Sequence, residues 1–124
     1  MNNLAFILLA ALLGHPVPIF TPQEYLRAAH IRHNATWFGG KLPDTTVLYA
    51  ETPDGDEGET ICAKDWKVCS IFISPKYNPG LNEAELTLFH EECHEVTPTD
   101  FGHGPEWQNC MKRLAAAGAF ERLW

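Results

Sequence analysis

His90-Glu91-Glu92-Cys93-His94 has the form H-E-x-x-H, two imidazoles four residues apart with a carboxylate directly after the first. On a helix this spacing sets both histidines on one face, with Cβ atoms about 5–6 Å apart, so their neutral ring nitrogens can converge on one zinc ion at about 2.0–2.1 Å. Glu91 lies about 100° around the helix, where its carboxylate stays off the metal and reaches water activated there. The chemistry is that of a zinc hydrolase: hydration of a polarised carbonyl, with Glu91 as general base and then as proton donor to the leaving amine.

Two histidines do not complete a catalytic zinc site, which takes three protein ligands and leaves a fourth position open. His103 follows His94 across a segment containing Pro98 and Gly102, long enough for the chain to turn back, and it is the expected third ligand. Glu106 is the rival, but it falls in the first turn of the next helix, where it favours the helix dipole. His15, His30 and His33 read as surface or core residues, since the first helix shows no partner carboxylate pattern. Glu92 and Glu95 fit neither base nor ligand and are expected on a solvated face or behind the ligands. Trp107 is expected as core beneath the site. No oxyanion-stabilising residue is identified, because nothing fixes the positions of Tyr49 and Tyr77.

The elements that must hold these residues follow from capping and periodicity. Thr21-Pro22-Gln23-Glu24 starts a helix, with Thr21 as cap, Pro22 at the first position and Glu24 closing a capping box; Gly39-Gly40 and Pro43 end it after Trp37. Thr45–Glu51, Glu59–Ala63 and Trp66–Ser74 are rich in β-branched and aromatic residues and predict three strands of a small sheet. The acidic turn 52–58 between the first two lacks EF-hand spacing and reads as a solvated loop. Asn82 with Glu85 predicts the cap of the motif helix, whose Leu86, Phe89, Cys93 and Val96 recur at helical intervals until Pro98. A last helix opens at Gly104-Pro105, turns Trp107, Cys110, Met111 and Leu114 inward, and closes at Gly118.

The totals bound the rest. With 124 residues the chain has the length of one domain, expected over 21–124. Sixteen acidic against nine basic residues leave a net charge of -7, and the basic residues are scattered, so autonomous nucleic-acid binding is not expected. Cys62, Cys69, Cys93 and Cys110 form no C-x-x-C pair, which removes zinc ribbons and thioredoxin-like sites; they read as buried free thiols, with a Cys62–Cys69 bridge across two strands as the alternative. Leu4–Leu13 is an unbroken run of ten apolar residues, too short for a transmembrane span, so residues 1–20 are read as a packed apolar arm or an export signal. The cytoplasm is the expected compartment, with export or anchoring through residues 4–13 as the alternative.

With these features in view the chain resembles the SprT-like zinc metalloproteases, the group that includes the Spartan-type proteases. The resemblance rests on His90-Glu91-Glu92-Cys93-His94 followed by His103-Gly104-Pro105-Glu106-Trp107, and on Trp37-Phe38-Gly39-Gly40-Lys41-Leu42-Pro43 after the first helix. It implies a zincin-like α+β fold: a small three-stranded sheet on the active-site helix, flanked by N- and C-terminal helices, with one zinc ion on His90, His94 and His103, and Glu91 as catalytic base. A metzincin is disfavoured because Thr97 and Asp100 stand where glycine and histidine would be needed. The paired-cysteine zinc ribbon of larger members is absent from this sequence. The expected activity is peptide-bond hydrolysis on a protein or peptide substrate, whose strand is expected to add to a sheet edge the sequence does not identify. The alternatives are a non-catalytic zinc-stabilised peptide-binding module and a zinc hydrolase of a non-protein amide.

Overall fold

The computed structural model describes residues 20–100 and 102–124. The apolar run 4–13 and His15 lie outside the described residues. Helix α1 spans Pro22–Trp37. Strands β1 (Asp44–Tyr49), β2 (Gly58–Cys62) and β3 (Val68–Ile73) follow, then helices α2 (Leu81–Glu95) and α3 (Pro105–Ala116). The described residues are therefore α+β, with three helices and a small mixed sheet, and no described helix is long and apolar enough to cross a membrane.

Thr21 caps α1 as its sequence predicts: its hydroxyl accepts the Glu24 N–H at 3.1 Å. The Glu24 carboxylate returns to the Thr21 hydroxyl at 3.0 Å. Gly39 and Gly40, at φ 61 and 76, supply the left-handed turn that ends the helix. The start of α2 is corrected. Gly80, not Asn82, is its cap, in extended conformation and with no side-chain cap bond. Glu83 folds back over it so closely that a Cβ on Gly80 would meet the carboxylate at 2.9 Å.

The sheet order is β1-β3-β2, with β1 parallel and β2 antiparallel to β3. Alternation along β1 and β3 turns Val47, Ile71 and Ile73 onto Leu26 and Ala29 of α1 and Ala84 and Leu88 of α2. A second apolar cluster lies on another side of α2, where Phe89 and Cys93 meet Cys110 and Leu114 of α3, Phe38 and Leu42 after α1, and Phe120 and Leu123 of the C-terminus. The last helix is followed by Gly118 at φ 88, which lets this terminal segment fold back.

The free-thiol reading of the cysteines is overturned. Cys62 and Cys69, directly opposed on β2 and β3, form a disulfide. Cys93 and Cys110 form a second that joins α2 to α3. Periodicity gave each of the latter an inward face, but only packing brings the two faces together.

The first helix carries a second correction. His33 is buried between two carboxylates of α2, its Nδ1 2.7 Å from Glu92 Oε1 and its Nε2 2.8 Å from Glu85 Oε2. His30 Nδ1 reaches the other Glu92 oxygen at 2.7 Å. Glu92 is thus fully buried rather than solvated, and Glu95, also buried, accepts from the Thr45 hydroxyl. These carboxylate partners lie more than fifty residues away in sequence, beyond the reach of a local pattern.

Glu85 also accepts from the Tyr25 hydroxyl, from Arg32 at 3.2 Å and from Arg122 at 2.9 Å. Burial pushes its pKa up, but the bonds from His33 and Tyr25 and the charges of His33 and Arg122 outweigh that and hold it at about 2. For His33, burial pushes down, while the bonds to Glu85 and Glu92 and both negative charges leave the pKa raised; with a carboxylate at each ring nitrogen it is an imidazolium. The two act in opposite pH directions. The Glu85 contribution is complete above its ordinary pKa of 4.5 and is lost as pH falls towards 2. That of His33 is complete below 6.5 and is lost as pH rises through its raised value. Urea midpoints measured against pH should therefore fall between about pH 4.5 and 2, and this acid loss should be smaller in Glu85→Gln, which will itself be less stable by roughly 3–5 kcal/mol because it leaves cations unpaired.

Candidate metal centre

Helix α2 presents its polar face between the sheet edge and the loop that precedes α3. His90 and His94, one turn apart, bring their Nε2 atoms to 3.3 Å. His103 enters from that loop with its Nε2 2.9 Å from that of His90. The three ligand atoms lie within 4.8 Å of one another, and this is the one such group among the described residues.

Asp100 shapes the return loop. Its Oδ1 accepts the Gly104 N–H at 3.0 Å and its Oδ2 the Trp107 N–H at 2.9 Å, so one carboxylate clasps the chain on the far side of His103 and neutralises the start of α3. Gly104 is required by that clasp, since a Cβ there would lie 2.2 Å from Asp100 Oδ1. Gln108 adds a bond from its amide to the His103 carbonyl at 2.7 Å. Covalently, the Cys93–Cys110 disulfide encloses His94, the loop and His103 in one ring.

Trp107 forms the floor. Its indole N–H donates to the His90 carbonyl at 3.1 Å. Its ring lies 4.6 Å from that of His90, 4.3 Å from that of His103, and stacks on His94 at 5.6 Å. Glu106, the rival ligand, instead accepts from the Thr99 hydroxyl at 3.1 Å and is outside the histidine group.

Glu91 is buried beside the cluster. Its Oε1 accepts from Thr60 Oγ1 of β2 at 2.8 Å, while Oε2 lies 3.7 Å from His90 Nε2. The backbone of β2 can approach this closely because residue 58 is glycine: a Cβ there would stand 2.8 Å from Thr87 Cγ2 and 2.9 Å from Glu91 Oε2. Burial pushes the Glu91 carboxyl up to about 7, against the Thr60 bond and with help from the charges of Glu59, Glu57 and Asp54. His90 is pushed down to about 4 by burial and by its two histidine neighbours, and His94 is lowered by burial and His103.

The donor set fits zinc. Tetrahedral zinc–nitrogen bonds of about 2.0–2.1 Å require ligand nitrogens about 3.3 Å apart; His90 Nε2 stands 3.3 Å from that of His94 and 2.9 Å from that of His103, near that spacing. The lowered pKa values keep His90 and His94 in the neutral, lone-pair-bearing form that binds metal. Above the cluster opens a cleft of about 570 Å³, walled by Gly58 and Thr60 of β2 and by Trp66 of the β2–β3 turn. No tyrosine lines it among the described residues; Tyr49 donates instead to the Asn78 carbonyl at 2.7 Å.

Sequence reasoning brought forward His90, Glu91, His94 and His103, and the fold gathers all four. It passed over Gly58, Thr60 and Asp100. Gly58 was hidden in turn material and Thr60 in a strand, whereas Asp100 stood four residues before Gly104-Pro105, where an acid can serve a helix start. No protein-family model matches the chain, and no curated protein matches it.

Because Asp100 bonds the loop and stands outside the histidine group, Asp100→Ala should weaken the binding of added zinc by roughly 10–100-fold, the range for groups that orient ligands. Chelator competition on wild type and variant measures this; equal affinities would mean that the loop holds His103 without the clasp.

Proposed function

We propose that the chain is a zinc-dependent metallopeptidase with a zincin-like arrangement, in keeping with its resemblance to the SprT-like family. The observation that carries this reading is the meeting of three histidine nitrogens with the Glu91 carboxylate at the foot of an open cleft whose wall is a sheet edge. A zinc ion held by His90, His94 and His103 would polarise the scissile carbonyl and bring the pKa of water to about 7.

The protein's own groups supply the rest. Glu91 takes a proton from the attacking water on its carboxylate and passes it to the leaving amine. Its buried place beside the histidines supports both acts, since Oε2 stands 3.7 Å from His90 Nε2. Trp107 holds the three imidazoles from below.

Substrate docking is supported by the two sheet edges. Ala63 N–H donates to Val68 O and Ser74 N–H to Glu57 O, so in this antiparallel register Gly58, Thr60 and Cys62 turn their own peptide groups outward. An extended peptide can pair with them alongside the histidines. The opposite edge is closed: the Gln23 amide donates to Val47 O and accepts from Tyr49 N on β1. Two disulfides in so short a chain support an oxidising compartment rather than the cytoplasm.

Glu91→Gln should retain one zinc per chain and lose roughly 10²–10⁴-fold in cleavage of casein or a peptide library, the usual contribution of a general base. Undiminished cleavage by a zinc-loaded variant would refute the mechanism. Peptide binding by the wild type without any hydrolysis would favour the non-catalytic binding module.

A further inference from the structure

We propose that Thr60 is a positioning residue that engages Oε1 of Glu91 and so reserves Oε2 as the oxygen that accepts the proton. The inference rests on the metallopeptidase reading and assigns a role to a residue outside the H-E-x-x-H motif. Thr60 Oγ1 lies 2.8 Å from Glu91 Oε1 and 3.2 Å from the Glu91 main-chain carbonyl. The hydroxyl has one proton, and the shorter, charge-assisted bond to the carboxylate is the stronger.

A carboxyl group turns easily about its last torsion, which is broad and two-fold. Thr60 opposes that here: it holds Oε1 from the sheet side, and the side chain is buried beside Gly58, where an added Cβ would lie 2.9 Å from Oε2. The oxygen that remains uncommitted is the one 3.7 Å from His90 Nε2.

Thr60 also belongs to the edge itself. Its side chain faces α2 while its peptide N–H and C=O face the open edge, so the residue that would pair with a substrate strand also orients the base. Productive docking and base alignment are thereby carried by one residue.

The test compares Thr60→Val, which keeps the β-branched shape and removes the hydroxyl, with Thr60→Ser, which keeps the hydroxyl. On a cleavable peptide, Thr60→Val should lose roughly tenfold or more in kcat, as expected for a bond to a charged group, with KM and zinc content unchanged. Thr60→Ser should retain most of the activity. Full activity in Thr60→Val, or equal losses in both variants, would overturn the role of the hydroxyl while leaving the peptidase reading intact. If the wild type cleaves nothing, that reading fails by itself. The Thr60 bond is then judged from the ¹³C shift of the Glu91 carboxyl in metal-free protein: a shift changed in Thr60→Val and restored in Thr60→Ser supports the bond, and an unchanged shift in Thr60→Val overturns it.

Discussion

Helix α2 can bring His90 and His94 to His103 only if it is held at one rotation about its axis, and the clamp that holds it is the buried carboxylate–histidine network. Glu85 and Glu92, seven residues apart, share the face turned to α1, where His30 and His33 meet them. His90 and His94 point from the roughly opposite face. A rotation that moved the histidines would drag two fully buried carboxylates away from their cations, which is among the costliest changes a small domain can suffer. Arg32, Arg122 and Tyr25 complete the shell of Glu85, so the C-terminal segment also takes part in the clamp. The stacking of His33 on Phe89 at 3.6 Å ties this polar seam to the apolar cluster beside it.

The third ligand depends on a different kind of constraint. His103 sits in a loop, and loops lose backbone entropy when fixed unless something else has already ordered them. Here the loop is enclosed by the Cys93–Cys110 disulfide, fastened by the Asp100 clasp and floored by Trp107. A covalent ring of this size removes about 3 kcal/mol of unfolded-state freedom in the chain-entropy account. Cys93 lies between Glu92 and His94, so one short stretch of α2 carries the helix clamp, the covalent tie and a ligand in consecutive residues. That density couples the histidine cluster to the core: what loosens one loosens the other.

The asymmetry of the sheet gives the site its direction. A three-stranded sheet has two edges, and here the side-chain amide of Gln23 occupies β1 as a neighbouring strand would. The β2 edge stays open where Glu91 and the histidines lie, and Gly58 lets it come close enough for Thr60 to touch the base. Edge protection on one side and exposure on the other leaves one edge of the sheet able to pair with another strand.

What the sequence by itself determined was local. The cap at Thr21, the left-handed stop at Gly39 and Gly40, the β-branched strands and the four-residue spacing of His90 and His94 each depend on neighbours within a turn or a strand, and all are present in the fold. The start of α2 at Gly80 was missed because its cap has no side chain to read. The tertiary structure alone decided the pairing of all four cysteines, the burial of His33 between Glu85 and Glu92, and the contacts of Thr60 and Asp100 with the site. A histidine or glutamate reads alike in sequence whether it is buried or solvated. Here His33, Glu85 and Glu92 are desolvated and paired with one another only because α1 and α2 pack together.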